Sequence, residues 1–157
     1  MANQDGQEQG PVGLVAAAHA AKPDANPGAA VVQPGKIGVA RFSADNSRVV
    51  TAGDDASARI WAITSGQLLA TLRGHSGAIA YAEFSADSAR VLTAGTDGTV
   101  RIWDGWSGQA LLTLSGHDGP VSYAEFSPDG ARVVSASKDG KGRLWDAHSG
   151  KLLGVLK

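Results

Sequence analysis

Three residue types that together carry out acyl transfer recur in this 157-residue chain at a fixed spacing. His75, Thr93 and Asp97 form one set, and His117, Ser135 and Asp139 form a second, each member 42 residues after its counterpart. Hydroxyl, imidazole and carboxylate match the nucleophile, base and orienting group of a hydrolase. A tryptophan follows each set, Trp103 and Trp145. A third, earlier set is partial: Thr51, Asp55 and Trp61 are in step, but counting back from Gly74-His75 reaches Val32-Gln33, so the imidazole is missing. An active site has no reason to be rebuilt in every unit. Repetition therefore favours a structural role for these groups over a catalytic one.

The elements that must hold them follow from the same period. Phe42, Phe84 and Phe126 keep the 42-residue spacing, and windows 74–115 and 116–157 share 22 identities. A repeat in the forties signals a solenoid or a propeller. Each unit holds four short apolar runs, in the middle unit Ile79–Ser85, Ala89–Ala94, Thr99–Asp104 and Gln109–Leu114. Turn residues separate them: Ala86-Asp87-Ser88, Thr96-Asp97-Gly98 and Ser107-Gly108. Runs this short, β-branched in part and bounded by tight-turn dipeptides, predict an antiparallel meander. The expected fold is all-β, three four-stranded antiparallel sheets.

The Gly-His pair that opens the second and third units, the Trp-Asp that closes them and the length between resemble the WD-repeat β-propeller family. The resemblance covers residues 32–157, with blades at about 34–73, 74–115 and 116–157. It implies that the Trp indole donates to the Ser/Thr hydroxyl, the hydroxyl to the His, and the other imidazole nitrogen to the Asp. Each full quartet would then staple the turn before the first strand to the turn between the second and third. The first unit, with Ala62 after Trp61, is expected to fold with an incomplete staple and to be the least stable. The resemblance also implies a protein partner, met on the loops around the Gly-His and the tetrad Asp. By position these carry Lys36, Asp54, Ala78, Thr96, Pro120, Ser122 and Lys138. They lack the Trp, Tyr and Arg anchors of strong hot spots, so avidity across an assembled ring would matter.

Residues 1–31 read differently. MANQDGQEQG has no hydrophobic period and is expected to be disordered. The weakly apolar run Val12 to Ala21 follows Asp5 and Glu8 with no Lys or Arg before Lys22, which disfavours a secretory signal and leaves a short helix or loose linker. Ala29–Val32 is a weak strand candidate. The expected location is cytoplasmic. Charge is balanced, 14 Lys+Arg against 15 Asp+Glu, so no electrostatic footprint calls for nucleic acid or an anionic membrane. No apolar run approaches the roughly 18–20 residues that span a bilayer. With no cysteine and only isolated His19 and His148 outside the sets, no metal or other cofactor is expected.

Arg59, Arg101 and Arg143, each two before the Trp, are read as strand-edge ion pairs rather than an anion site. Glu83 and Glu125 are read as solvated or locally paired. Trp106 stands outside the pattern in a loop, where an aromatic suggests either a contact surface or packing within the chain. Closed propellers have about four to eight blades. Three would leave two sheet faces bare, so self-association or further blades are expected to complete the ring. The leading function is a non-catalytic protein-interaction scaffold. The alternatives are a propeller enzyme with a channel site, for which the first strands offer only Arg41, Tyr81, Glu83, Tyr123 and Glu125, or a truncated product with no independent role.

Overall fold

The computed structural model describes residues 34–157, so the readings of residues 1–31 lie outside the described residues. Twelve strands follow one another without a helix among the described residues: β1 (Ile37–Phe42), β2 (Arg48–Gly53), β3 (Ser57–Ala62), β4 (Leu68–Arg73), β5 (Ile79–Phe84), β6 (Arg90–Gly95), β7 (Thr99–Asp104), β8 (Ala110–Ser115), β9 (Val121–Phe126), β10 (Arg132–Ser137), β11 (Gly142–Asp146) and β12 (Leu152–Leu156). They form three antiparallel four-stranded sheets in sequence order, β1 to β4, β5 to β8 and β9 to β12. The expected all-β meander is what the chain adopts, with strand ends within a residue or two of those read from the turns.

Each sheet is pinned by the same devices. In every unit the register of the third and fourth strands slips beside the tryptophan, between Ile60/Trp61, Ile102/Trp103 and Leu144/Trp145. A slip of this kind adds local twist, as propeller blades need. The turn between second and third strands requires a left-handed residue. Gly98 and Gly140 supply it at φ 83° each, but the first sheet uses Ala56 at φ 61°. An L-residue with a Cβ pays for that conformation.

The core lies between the sheets. One buried cluster joins Val50, Ile60 and Leu72 of the first sheet to Ile79, Phe84, Val91 and Trp103 of the second. A second joins Leu92, Ile102 and Leu114 to Val121, Phe126, Val133 and Trp145 of the third. Among the described residues Val49 and Trp61 form a smaller cluster with Ile63 and Leu68. Among the described residues three sheets make two shared cores, and the middle sheet is packed on both faces.

Polar links reinforce both junctions. Arg48, 1% exposed, crosses from the first sheet to donate to the carbonyl oxygens of Ser88 (2.7 Å) and Gly105 in the second. Arg90 crosses from the second to the third, donating to Gly130 O (2.5 Å) and Ala147 O (3.2 Å). Each guanidinium also lies over the next sheet's phenylalanine, Arg48 5.1 Å from the Phe84 ring centre and Arg90 4.8 Å from that of Phe126. Buried arginine is tolerated because its donors meet acceptors and its plane meets a ring.

Candidate functional site

The hydroxyl, imidazole and carboxylate come together in both full sets. Thr93 lies on β6, Trp103 on β7, Asp97 in the turn between them, and His75 in the loop before β5. The Trp103 indole donates to Thr93 Oγ1 at 2.9 Å, Thr93 Oγ1 is 2.8 Å from His75 Nε2, and His75 Nδ1 is 3.0 Å from Asp97 Oδ2. The third sheet repeats this: Trp145 to Ser135 Oγ at 2.9 Å, Ser135 Oγ to His117 Nε2 at 2.8 Å, and His117 Nδ1 to Asp139 Oδ2 at 2.9 Å. Indole is a donor only and an ionised carboxylate an acceptor only. For a neutral His75 the proton positions follow: Nδ1 carries hydrogen and donates to Asp97, and Nε2 accepts from the Thr93 hydroxyl; at His117, Arg143 Nη1 also lies against Nδ1. Both ring nitrogens of each His are consumed.

The carboxylates are held from several sides. Asp97 also accepts from the Ser76 amide (3.0 Å), the Thr99 amide (3.1 Å) and the Thr99 hydroxyl (2.8 Å). Burial alone would raise its pKa; those donors, with His75, overcome it and hold the carboxyl below its ordinary value. Asp139 behaves alike. Burial is again opposed, here by His117, Arg143 and the amides of Lys141 and Asp118, and the carboxyl lies well below the usual range. His75 is lowered, chiefly because burial disfavours the imidazolium, which outweighs the pull of Asp97. Gly95 is required for this packing, since a Cβ there would collide with the imidazole and the Asp97 carboxylate.

In the first sheet Trp61 still donates to Thr51 Oγ1 at 2.8 Å. Asp55 accepts from the Ser57 amide (3.1 Å) and from Arg59 Nη1 (2.9 Å). An arginine thus binds the carboxylate that His binds elsewhere. Arg59 and Arg143, expected on exposed strand edges, are instead 2% and 7% exposed, and both pair with the quartet carboxylate of their own sheet. The correction has a simple cause: cross-strand pairing sets Arg59 opposite Thr51 and Arg143 opposite Ser135, and each guanidinium reaches back to the carboxylate of the preceding turn.

Six of the seven carried-over residues pair off, one pair per sheet, and Ser122 lies on β9 instead of in a loop. Thr96 N–H donates to Ala78 O at 2.9 Å and Lys138 N–H to Pro120 O at 2.9 Å, while Lys36 N–H donates to Asp54 Oδ1 at 2.7 Å. Lys36, Asp54, Thr96, Ser122 and Lys138 are exposed, and Ala78 and Pro120 are partly so. Thr96 and Pro120 share a shallow depression with Asp97 and His117 between the second and third sheets. Trp106, 58% exposed, stacks one ring face on Arg48, 3.4 Å from the ring centre.

The first strands hold a cluster that spacing alone did not connect. The Tyr81 and Tyr123 rings lie 4.6 Å apart, Arg41 stands 5.5 Å over Tyr81, and the phenols donate to Glu83 (3.2 Å) and Glu125 (3.0 Å). Its bond to Glu125 pushes the Tyr123 phenol up to about 12. Glu83, read as solvated or locally paired, also reaches the next sheet, accepting from Phe126 N–H at 2.9 Å. The 42-residue recurrence of the Tyr-Ala-Glu-Phe run was the signal that could have found this cluster.

The WD domain, G-beta repeat, family model matches the chain three times in succession, over residues 33–62, 66–104 and 108–146. The chain belongs to the WD-repeat family, and its three sheets are WD blades. Comparison with curated proteins finds no match. WD repeats serve in general as protein-interaction scaffolds, and each family match closes on the Trp-Asp pair or its Trp61-Ala62 counterpart.

Proposed function

We propose that this chain is a non-catalytic protein-interaction module that presents a partner-binding face on the loops next to its quartets and acts in the cytoplasm. The observation that carries the reading is the burial of both quartets: Thr93 and Ser135 are 0% and 1% exposed, and each hydroxyl already accepts an indole N–H. Hydroxyl, imidazole and carboxylate stand as they do in a hydrolase triad, but a nucleophile must be reachable by substrate, and these hydroxyls lie inside the blade. Their chemistry is internal to the blade, which leaves recognition to the loops.

The binding face is small and weakly charged, with Thr96, Ser122 and Lys138 exposed on the second and third blades. Such a surface makes few strong anchors, so affinity gains from several blades acting together. Self-association, or further blades, would enlarge it and cover the bare flanks of the outer sheets. The test is partner recovery from the native source by the full chain and by a Thr96→Ala, Ser122→Ala, Lys138→Ala variant. Asp54 is left intact because it ties down the Lys36 amide. Lost recovery with an unchanged melting profile is the expected result. Equal recovery by both proteins would place the binding face elsewhere.

A further inference from the structure

Arg48, Arg90 and Arg132 each begin the second strand of their blade. The first two leave their own blade and bind the next one through the same three parts: a phenylalanine ring and two backbone carbonyls. Gly130 and Ala147, which receive Arg90, stand 42 residues after Ser88 and Gly105, which receive Arg48. The junction is thus one design used twice. Arg132 holds the same position on the third blade and is exposed, beside a shallow groove lined by Glu125, Val134 and Leu144.

The matching half lies at the other end of the stack. Phe42 is 65% exposed, whereas Phe84 and Phe126, covered by the preceding blade, are 8% and 7%. The carbonyls that correspond to Ser88 and Gly105 belong to Asn46 and Ile63. Their local geometry is already that of an occupied junction. Asn46 is left-handed at φ 57°, as Ser88 is at 60° and Gly130 at 70°. Ile63 N–H donates to Ser47 O at 3.0 Å, as Gly105 does to Ala89 O at 2.8 Å and Ala147 to Ala131 O at 2.9 Å. A receiving half-site formed before anything occupies it needs little reorganisation on binding.

We infer that the third blade of one copy docks on the first blade of a second copy, with Arg132 seated over Phe42 and donating to the carbonyls of Asn46 and Ile63. This rests on the self-association included in the proposed function and gives it a direction and a contact set. A second copy is the occupant because one chain carries both halves, donor at one end and acceptor at the other. Glu125 adds to the fit, since its counterpart Glu83 accepts the Phe126 amide across a junction and Phe42 offers the same amide. Contacts of this kind are head-to-tail, and rings close when the rotation allows. Two copies supply six blades, within the roughly four to eight of closed propellers.

Sedimentation velocity of the full chain from low to high micromolar concentration tests this, using wild type, Phe42→Lys, Arg132→Glu and an equimolar mixture of the two variants. Both substituted positions are exposed, and circular dichroism melts verify that each variant is folded. Wild type is expected to form a two-copy species, and each variant alone to associate at least about tenfold more weakly, as for removal of one partner in a buried charged contact. The mixture is expected to recover a 1:1 complex, because the Arg132 of the Phe42 variant meets the Phe42 of the Arg132 variant. Wild type monomeric throughout would overturn self-association itself and leave the flanks to blades of another origin. Wild-type assembly matched in strength by both variants would overturn the arginine junction alone. Two impaired variants that fail to complement would overturn the head-to-tail direction.

Discussion

An imidazole buried between a hydroxyl and a carboxylate acts as a strut, because no substrate can reach the hydroxyl it holds. For His75 this makes Asp97 the residue whose loss is felt most, because it accepts from the imidazole, from two amides and from a hydroxyl. Asp97→Ala leaves buried donors unpaired and is expected to destabilise by about 1–3 kcal/mol, seen as a lowered melting temperature. An unchanged melt would deny the quartet its structural role. Acid should act on the same residues. Folding lowers His75 from its ordinary 6.5, so between the two values the unfolded chain binds more protons. Stability is fully present above 6.5 and falls as the pH drops below it. Asp97, lowered from 3.8, adds stability that is present above that value and lost as the pH falls through its lower folded value. Urea midpoints should therefore decline from about pH 8 to about pH 5 and again in stronger acid; a midpoint that rises on acidification would contradict both assignments. The quartets were legible in the sequence because each member keeps a fixed spacing. The buried setting of Arg59 and Arg143 was not, since a spacing of two before a tryptophan does not say that the guanidinium folds back onto the aspartate of the turn.

At the scale of the blade, turn chemistry and strand edges set the stability differences. Ala56 occupies a left-handed site that Gly98 and Gly140 fill in the other blades. Ala56→Gly is expected to stabilise the chain by up to about 1 kcal/mol, once the greater unfolded-state freedom of glycine is deducted from the relieved strain. A lower melting temperature would show that the turn carries no strain. The arginine row gives a paired prediction. Arg90→Ala removes two charge-assisted hydrogen bonds across a junction and is expected to cost about 2 kcal/mol in denaturant unfolding. Arg132→Ala, at concentrations too low for association, is expected to stay within about 0.5 kcal/mol of wild type. Equal costs would contradict the distinction between an occupied and an open junction. Strand ends and hairpins were readable from dipeptides such as Asp139-Gly140. The arginine row was not singled out, although Arg48, Arg90 and Arg132 keep the period, because nothing in a single sequence says that a strand-start arginine leaves its own sheet.

Across the whole molecule the count of blades matters as much as their identity. Two shared cores serve three sheets, so the middle blade is packed on both faces while Phe42 at one end and Leu152, Val155 and Leu156 near the other remain exposed. The bare flanks could be foreseen from three units of a fold that closes with more. Which residues would meet across them could not, because the contacts join positions about 40 to 57 apart in sequence whose pairing only the stacking fixes. At this scale the account holds that the repeated His, hydroxyl, Asp and Trp are struts, and that recognition belongs to the loops and flanks they support. The imidazole 15N chemical shifts of the folded chain at neutral pH test that most directly. His75 is expected to be neutral, with the proton on Nδ1 and Nε2 accepting a hydrogen bond. A neutral ring carrying its proton on Nε2 would contradict the account, because a bare Nδ1 would then face the Asp97 carboxylate.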